Sequence, residues 1–282
     1  MESSGRQLSV LCAVVVSLMV AACGNSQPTV APEGRATTVT PAAAPTPMSA
    51  PAAARPTRVL FVGNSLTFVS DLPQIFAELA RSAGRPVEVD MAAEGGWTCA
   101  DHAASDVSLG KIAGGGWDYV VLQEQSAMLA LPEKREEQMA PAVRLLHAKI
   151  TEGGAVTVLF MTWAGRDGLP ASGYEDYHAM QAGVEAGYLE IADELGVMVV
   201  PVGAAWREVV AADPDLELWQ RDGIHPAQAG SYLAACVFYA TLFGASPEGV
   251  TYTAGLPVET ALTLQAAAVG TVLENPERWH LR

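Results

Sequence analysis

Basic residues are scarce in this sequence, with 16 lysines and arginines against 31 aspartates and glutamates. The few cations form no block and no stripe interleaved with aromatics. That excludes a surface built to neutralise a phosphate backbone, so nucleic acid is not an expected partner. The acidic balance otherwise speaks to solubility and not to fold. Cysteine is sparse too, four in 282 residues. Cys12 and Cys23 fall in the N-terminal segment, which leaves Cys99 and Cys236. Cys236 lies in the apolar run "SYLAACVFYATLF", a setting in which a buried free thiol is the common case, so two unpaired thiols are expected. His102, His147, His178 and His280 show no metal-ligand spacing, and surface or helix-packing roles are expected for them. "GGGW" at 114–117 is not followed by GK[ST], so it is a turn and not a phosphate loop. No GxSxG elbow occurs anywhere, which argues against an α/β-hydrolase arrangement. No metal or cofactor is expected.

What is present begins with a charged start and an apolar run. Residues 1–22 hold Arg6 and then "LSVLCAVVVSLMVAA", too short for a spanning helix and organised like a secretory signal. The run stops at "VAAC", Val20 to Cys23. This resembles the bacterial lipobox, whose cysteine becomes the lipidated first residue, so Cys23 is the expected lipid attachment point. An ordinary signal with a chance cysteine is the alternative. Residues 23–57 follow as a segment dense in Pro, Ala and Thr without helical or strand period. Such a segment cannot bury enough surface to fold and reads as an extended spacer. The expected protein is therefore exported to the bacterial cell envelope and tethered to a membrane through Cys23, with its folded domain at 58–282.

From residue 58 the chain alternates. Strand-like apolar runs occupy 58–63, 86–92, 118–125, 155–163 and 197–203, mostly without the in-out alternation of a half-exposed sheet. Helical patterns occupy 71–84, 141–154, 174–196, 226–244 and 257–274. Pro141 is read as a first-turn proline. The alternation predicts one five-stranded parallel sheet with helices on both faces, and chemistry at the carboxyl ends of its strands.

Ser65 falls just past the first strand, in "RVLFVGNSLTF". The turn there uses Gly63 and Asn64 and does not require a serine; by itself Ser65 also fits a helix cap. "WQRDGIHPAQAGSY" supplies Asp222 and His225 three residues apart, with Gly223 between them and Pro226 able to open the next helix. A carboxylate so placed can fix the tautomer of a following imidazole, whose other nitrogen then takes a proton. A capping aspartate beside a surface histidine is the plain alternative. Together Ser65, His225 and Asp222 offer a nucleophile, a base and an orienter.

"FVGNSLTF" and "DGIHP" resemble the first and last blocks of the GDSL-like, or SGNH, hydrolase superfamily, with Asn64 where the family has aspartate. The resemblance spans residues 58 to about 245. It implies a flavodoxin-like three-layer α/β/α sandwich and hydrolysis of esters, often O-acyl groups on sugars or lipids. It implies two further blocks that donate to an oxyanion. For the first, "AAEGGWT" offers Gly95 and Gly96, of which Gly95 is the expected donor. For the second, the family's asparagine is missing, and "VLQEQSAM" places Gln125 there, with Gln123 as the other amide. Glu124 receives no role. Trp97, Trp163 and Arg166 fall on loops at the same edge, where they can contact substrate or merely pack.

The expected function is thus a lipid-anchored serine esterase acting on O-acyl esters, with O-acetyl carbohydrate as the first choice of small-molecule or polysaccharide substrate. Two alternatives stand beside it: a lipolytic esterase of the same fold, and a surface binding lipoprotein without turnover.

Overall fold

A computed structural model describes residues 55–281. The predicted signal, Cys23 and nearly all of the predicted spacer lie outside the described residues.

The first strand, β1 (Thr57–Gly63), shows why its sequence lacks alternation. Val59, Leu60, Phe61 and Val62 are all fully buried, because helices cover both faces of the sheet. β1 pairs in parallel with β2 (Val87–Ala93) on one side and β3 (Tyr119–Leu122) on the other. β4 (Val156–Phe160) and β5 (Met198–Val200) complete a five-stranded, all-parallel sheet of order β2-β1-β3-β4-β5. β2 is an edge and carries Glu88 and Asp90 outward, which keeps that edge from pairing further. This is the flavodoxin-like order, in which the direction of winding reverses between β1 and β3, and a crevice opens there at the carboxyl ends.

Two helical layers enclose the sheet. In one, α2 (Leu72–Ser82) packs on α10 (Gln228–Phe243), which is covered in turn by α11 (Val258–Val272). α10 is buried on nearly every side, as its unbroken apolar run requires. Phe238 of α10 meets Phe61 of β1, Phe76 of α2 and Phe160 of β4, with ring centroids 5.0–5.8 Å apart. In the other layer, α3 (Cys99–Ala103) and α4 (Asp106–Ala113) pack on α7 (Ala140–Glu152). Two short helices, α5 (Ser126–Ala130) and α6 (Pro132–Lys134), precede α7, and α8 (Tyr177–Leu195) packs on α5. Among the described residues, Cys99 and Cys236 are both buried and unpaired.

Three expectations need correction. Pro226 does not open α10, which begins at Gln228 with Ala227 as its cap. Pro141 does stand in the first turn of α7, although a helical path already runs from Pro132 and a π-turn at Arg135–Met139 comes just before the proline. There the Ala140 N–H reaches back to the Arg135 carbonyl. A proline has no N–H to give, and a wider turn ahead of it accommodates the loss. The last strand stops at Val200, and Val202–Ala212 form a helix, α9, that the valine-rich run concealed. The third strand ends at Leu122, so Gln123–Gln125 form a loop.

Candidate active site

Ser65 leaves the carboxyl end of β1 as the first residue of a four-residue helix, α1 (Ser65–Phe68). Asn64 caps that helix, its Oδ1 accepting the Leu66 N–H at 3.1 Å, while its Nδ2 donates to the Trp97 carbonyl at 2.8 Å. The substituted block residue is thus a cap that also ties α1 to the loop after β2. As the first helical residue, Ser65 has an N–H with no intrahelical acceptor.

Beneath this corner lies a buried brace. Gln123 Oε1 accepts the Asn64 N–H at 2.7 Å and the Thr67 hydroxyl at 2.9 Å, while its Nε2 donates to the Glu124 carbonyl at 2.8 Å. Gln123 therefore holds the corner; it is fully buried and does not line the cavity beside Ser65. His102 supports the same corner from α3. Its Nε2 lies 2.8 Å from the Gly63 carbonyl and its Nδ1 2.8 Å from Ser108 Oγ. A carbonyl only accepts, so Nε2 carries the proton. Burial also holds this imidazole below its ordinary range.

The Asp222–His225 turn comes to Ser65 across 160 residues of sequence. Gly223 takes a left-handed conformation, φ 69°, in which the chain reverses. Asp222 Oδ1 accepts the N–H groups of Ile224 and His225 at 2.9 and 3.0 Å, and Oδ2 lies 2.6 Å from His225 Nδ1. Hydrogen bonding, first to the His225 side chain and then to backbone, holds the Asp222 carboxyl down at about 2. It is an ionised acceptor at neutral pH, so Nδ1 carries the proton. His225 Nε2 is then an acceptor, and it stands 2.9 Å from Ser65 Oγ.

A cavity of about 350 Å³ opens beside Ser65 and His225. Leu66, Ala127, Trp163, Leu169, Met180 and Ile224 give it a largely apolar wall, and among the described residues His225 is the one lining side chain that can carry charge. Gln125 and Gly96 border it as well; Gly95 does not. Glu94 to Trp97 form a turn closed by the Trp97 N–H on the Glu94 carbonyl, with Gly96 at φ 77°. That third turn position calls for glycine, and Gly95, the expected donor, is its neighbour within the turn. Gln125 spends one amide N–H on the Gly96 carbonyl, and an amide nitrogen has two.

The remaining predicted contacts separate. Trp163 lines the cavity but is buried, its Nε1 donating to the Ile224 carbonyl at 2.9 Å and its ring stacked 4.1 Å from Trp206. Trp97 lies edge-on to His102 and away from the cavity. Arg166 turns outward to pair with Glu217 over the Trp219 ring, while its backbone N–H holds the Gly223 carbonyl at 2.8 Å. Residues missed in the sequence, chiefly Ala127, Leu169, Met180 and Ile224, sit on short helices, loops and a long helix face. No spacing signalled them.

A family model described as a domain of unknown function, DUF4886, matches residues 92–261, more than half of the chain. Curated proteins give no match. A solved structure described as a candidate SGNH hydrolase from Slackia heliotrinireducens is 31% identical, with a TM-score of 0.57, over 67% of this chain and 100% of its own. A DUF4886 protein from Bacteroides uniformis superposes with a TM-score of 0.66 at 19% identity, over 78% of this chain and 95% of its own. A catalytic mutant of Axe2, an acetylxylan esterase from Geobacillus stearothermophilus, has a TM-score of 0.51 at 17% identity, over 65% and 92%. The chain belongs to the DUF4886 family, within the GDSL-like, or SGNH, hydrolase superfamily.

Proposed function

We propose that the protein is an exported, lipid-anchored esterase whose nucleophile is Ser65. One observation carries this reading: Ser65 Oγ, His225 Nε2, His225 Nδ1 and Asp222 Oδ2 form a single line of hydrogen bonds at the mouth of a cavity. Ser65 Oγ bonds to the ester carbon as its proton passes to His225 Nε2, and the carbonyl electron pair moves onto oxygen. Asp222 holds the tautomer and balances the imidazolium. The oxyanion takes the Ser65 N–H, an N–H from the Gly95–Gly96 turn and the second N–H of Gln125. Collapse breaks the bond to the alcohol oxygen, which leaves with the proton from His225. Water, deprotonated by His225, then attacks the acyl-Ser65; the bond from the acyl carbon to Ser65 Oγ breaks, His225 returns the proton to Oγ, and the acid departs.

Two substrate classes compete. O-acetyl carbohydrate fits the likeness to an acetylxylan esterase. The apolar cavity wall favours the second, an ester with a longer aliphatic acyl group, because a sugar site needs more polar side chains than this wall supplies. Chromogenic esters from acetate to octanoate test both, with Ser65→Ala beside the wild type. The longer-acyl reading expects kcat/KM to rise about fourfold per methylene until the cavity is filled; an acetyl-selective enzyme falls beyond acetate. Background rates from both proteins would leave the binding lipoprotein as the surviving reading. The anchor is tested by Cys23→Ala, which should move the protein from the membrane to the soluble fraction.

A further inference from the structure

Glu124 lies between the two glutamines and points inward, 2% exposed. Among the described residues no cationic side chain pairs with it, which is costly for a carboxylate unless hydrogen bonds replace water. Those bonds are present. Oε2 accepts the Cys99 N–H at 2.9 Å, and Oε1 accepts the Gln125 N–H at 2.7 Å. Cys99 opens α3 just after the Gly96 turn, and Gln125 precedes α5. Gln125 closes the circuit by donating its side-chain amide to the Gly96 carbonyl. One carboxylate thus binds both loops that border the oxyanion side of the cavity.

We infer that Glu124 is a positioning residue whose ionised carboxylate clamps the Gly96 and Gln125 loops together, so that the oxyanion side of the site is fully assembled only while Glu124 is charged. A protonated carboxyl presents an O–H at one of its two oxygens. That oxygen then opposes an N–H donor, and one loop is released. The groups facing Glu124 are the Cys99 thiol and Asp101 from α3 and the Tyr188 hydroxyl from α8. Burial, opposed by the bonds from Cys99 and Gln125, sets its carboxyl at about 7. Burial also holds the Cys99 thiol and the Tyr188 phenol protonated at that pH. Asp101 is held low by Thr98. The remaining neighbours therefore keep one charge state while Glu124 changes.

The inference rests on the esterase reading, and its test separates the two. The full chain carrying His225→Asn, which removes the nearby imidazole, is labelled with ¹³C and ¹⁵N and titrated from pH 5 to 9 by NMR. The Glu124 carboxyl and the amides of Gly96, Cys99 and Gln125 should share one midpoint near 7. Amides that do not follow the Glu124 carboxyl, or a carboxyl that holds one state throughout, overturn the inference whether or not the protein has activity. In the active protein, Glu124→Gln should lower kcat on the order of tenfold to a hundredfold with KM nearly unchanged, and should flatten the acid limb of the kcat profile. Wild-type kcat with an unaltered profile would also overturn it. A Ser65→Ala protein as active as wild type would instead remove the esterase reading and leave the NMR result standing.

Discussion

Replacing Gly63 with alanine places a methyl group inside the brace beneath Ser65. An added Cβ would lie 2.7 Å from Thr67 Oγ1, 3.0 Å from Gln123 Cβ, and closer still to Gln123 Oε1. The Gln123 side chain cannot yield by a small rotation, because its root is crowded as well as its tip. Its amide must leave, and the Asn64 N–H and Thr67 hydroxyl lose their common acceptor. Both groups are buried. An orphaned buried donor costs about 1–3 kcal/mol, so the pair costs roughly 2–6 kcal/mol. In a domain of this size that lowers Tm by roughly 5–20 °C. Asn64 also caps the helix that begins with Ser65, so activity should fall further than folding alone requires. The assay is thermal and urea unfolding of Gly63→Ala, Gln123→Ala and the double variant, with ester hydrolysis measured on each. The cost of Gly63→Ala should shrink in the Gln123→Ala background, because the clashing amide is already gone. Equal cost in both backgrounds, or unfolding within about 0.5 kcal/mol of wild type, would refute the steric argument.

Asp222→Asn should keep the fold and lower kcat about 10³- to 10⁴-fold, because an amide no longer dictates that Nδ1 carries the proton; stopped assays at pH 7 and 9 measure it. Asp222 has a depressed carboxyl, so its contribution to stability is present above the ordinary carboxylate range and lost as pH falls towards about 2; acid unfolding of wild type and Asp222→Asn should converge there. Glu124 carries the opposite sign. Its value of about 7 against an ordinary 4.5 means that the folded state holds the proton more tightly, so stability declines as pH rises through that window, on the order of 3 kcal/mol in full. Urea midpoints at pH 5 and 8 should show Glu124→Gln gaining on wild type as pH rises, and a constant difference would contradict the burial argument.

The sheet was legible because its strands are covered on both faces, and runs such as "VLFV" leave few other readings. The same property misled at Val197–Gly203, where apolar residues continue from β5 into α9 and only Pro201 marks the change. Ser65, Asp222 and His225 were legible because their chemistry depends on residue type and local spacing. Their meeting depends on topology, since β1 and the α10 entry open at the same sheet edge. Side-chain direction was less accessible. Arg166 sits at the expected edge, yet Glu217 and Trp219 draw it outward. Gly96 lines the cavity and Gly95 does not, a difference that two adjacent glycines in a sequence do not reveal. Glu124 could not be read at all, because an acidic residue in a loop signals exposure until the fold buries it.

The central claim is that His225 activates Ser65, and covalent labelling tests it without knowledge of the substrate. A serine-reactive fluorophosphonate, followed by intact mass and peptide mapping, should add one adduct to the wild-type protein at Ser65. Ser65→Ala should take none, and His225→Asn should label at least a hundredfold more slowly, as expected when the base is removed. Equal labelling of wild type and His225→Asn, or an adduct at a residue other than Ser65, would contradict the account.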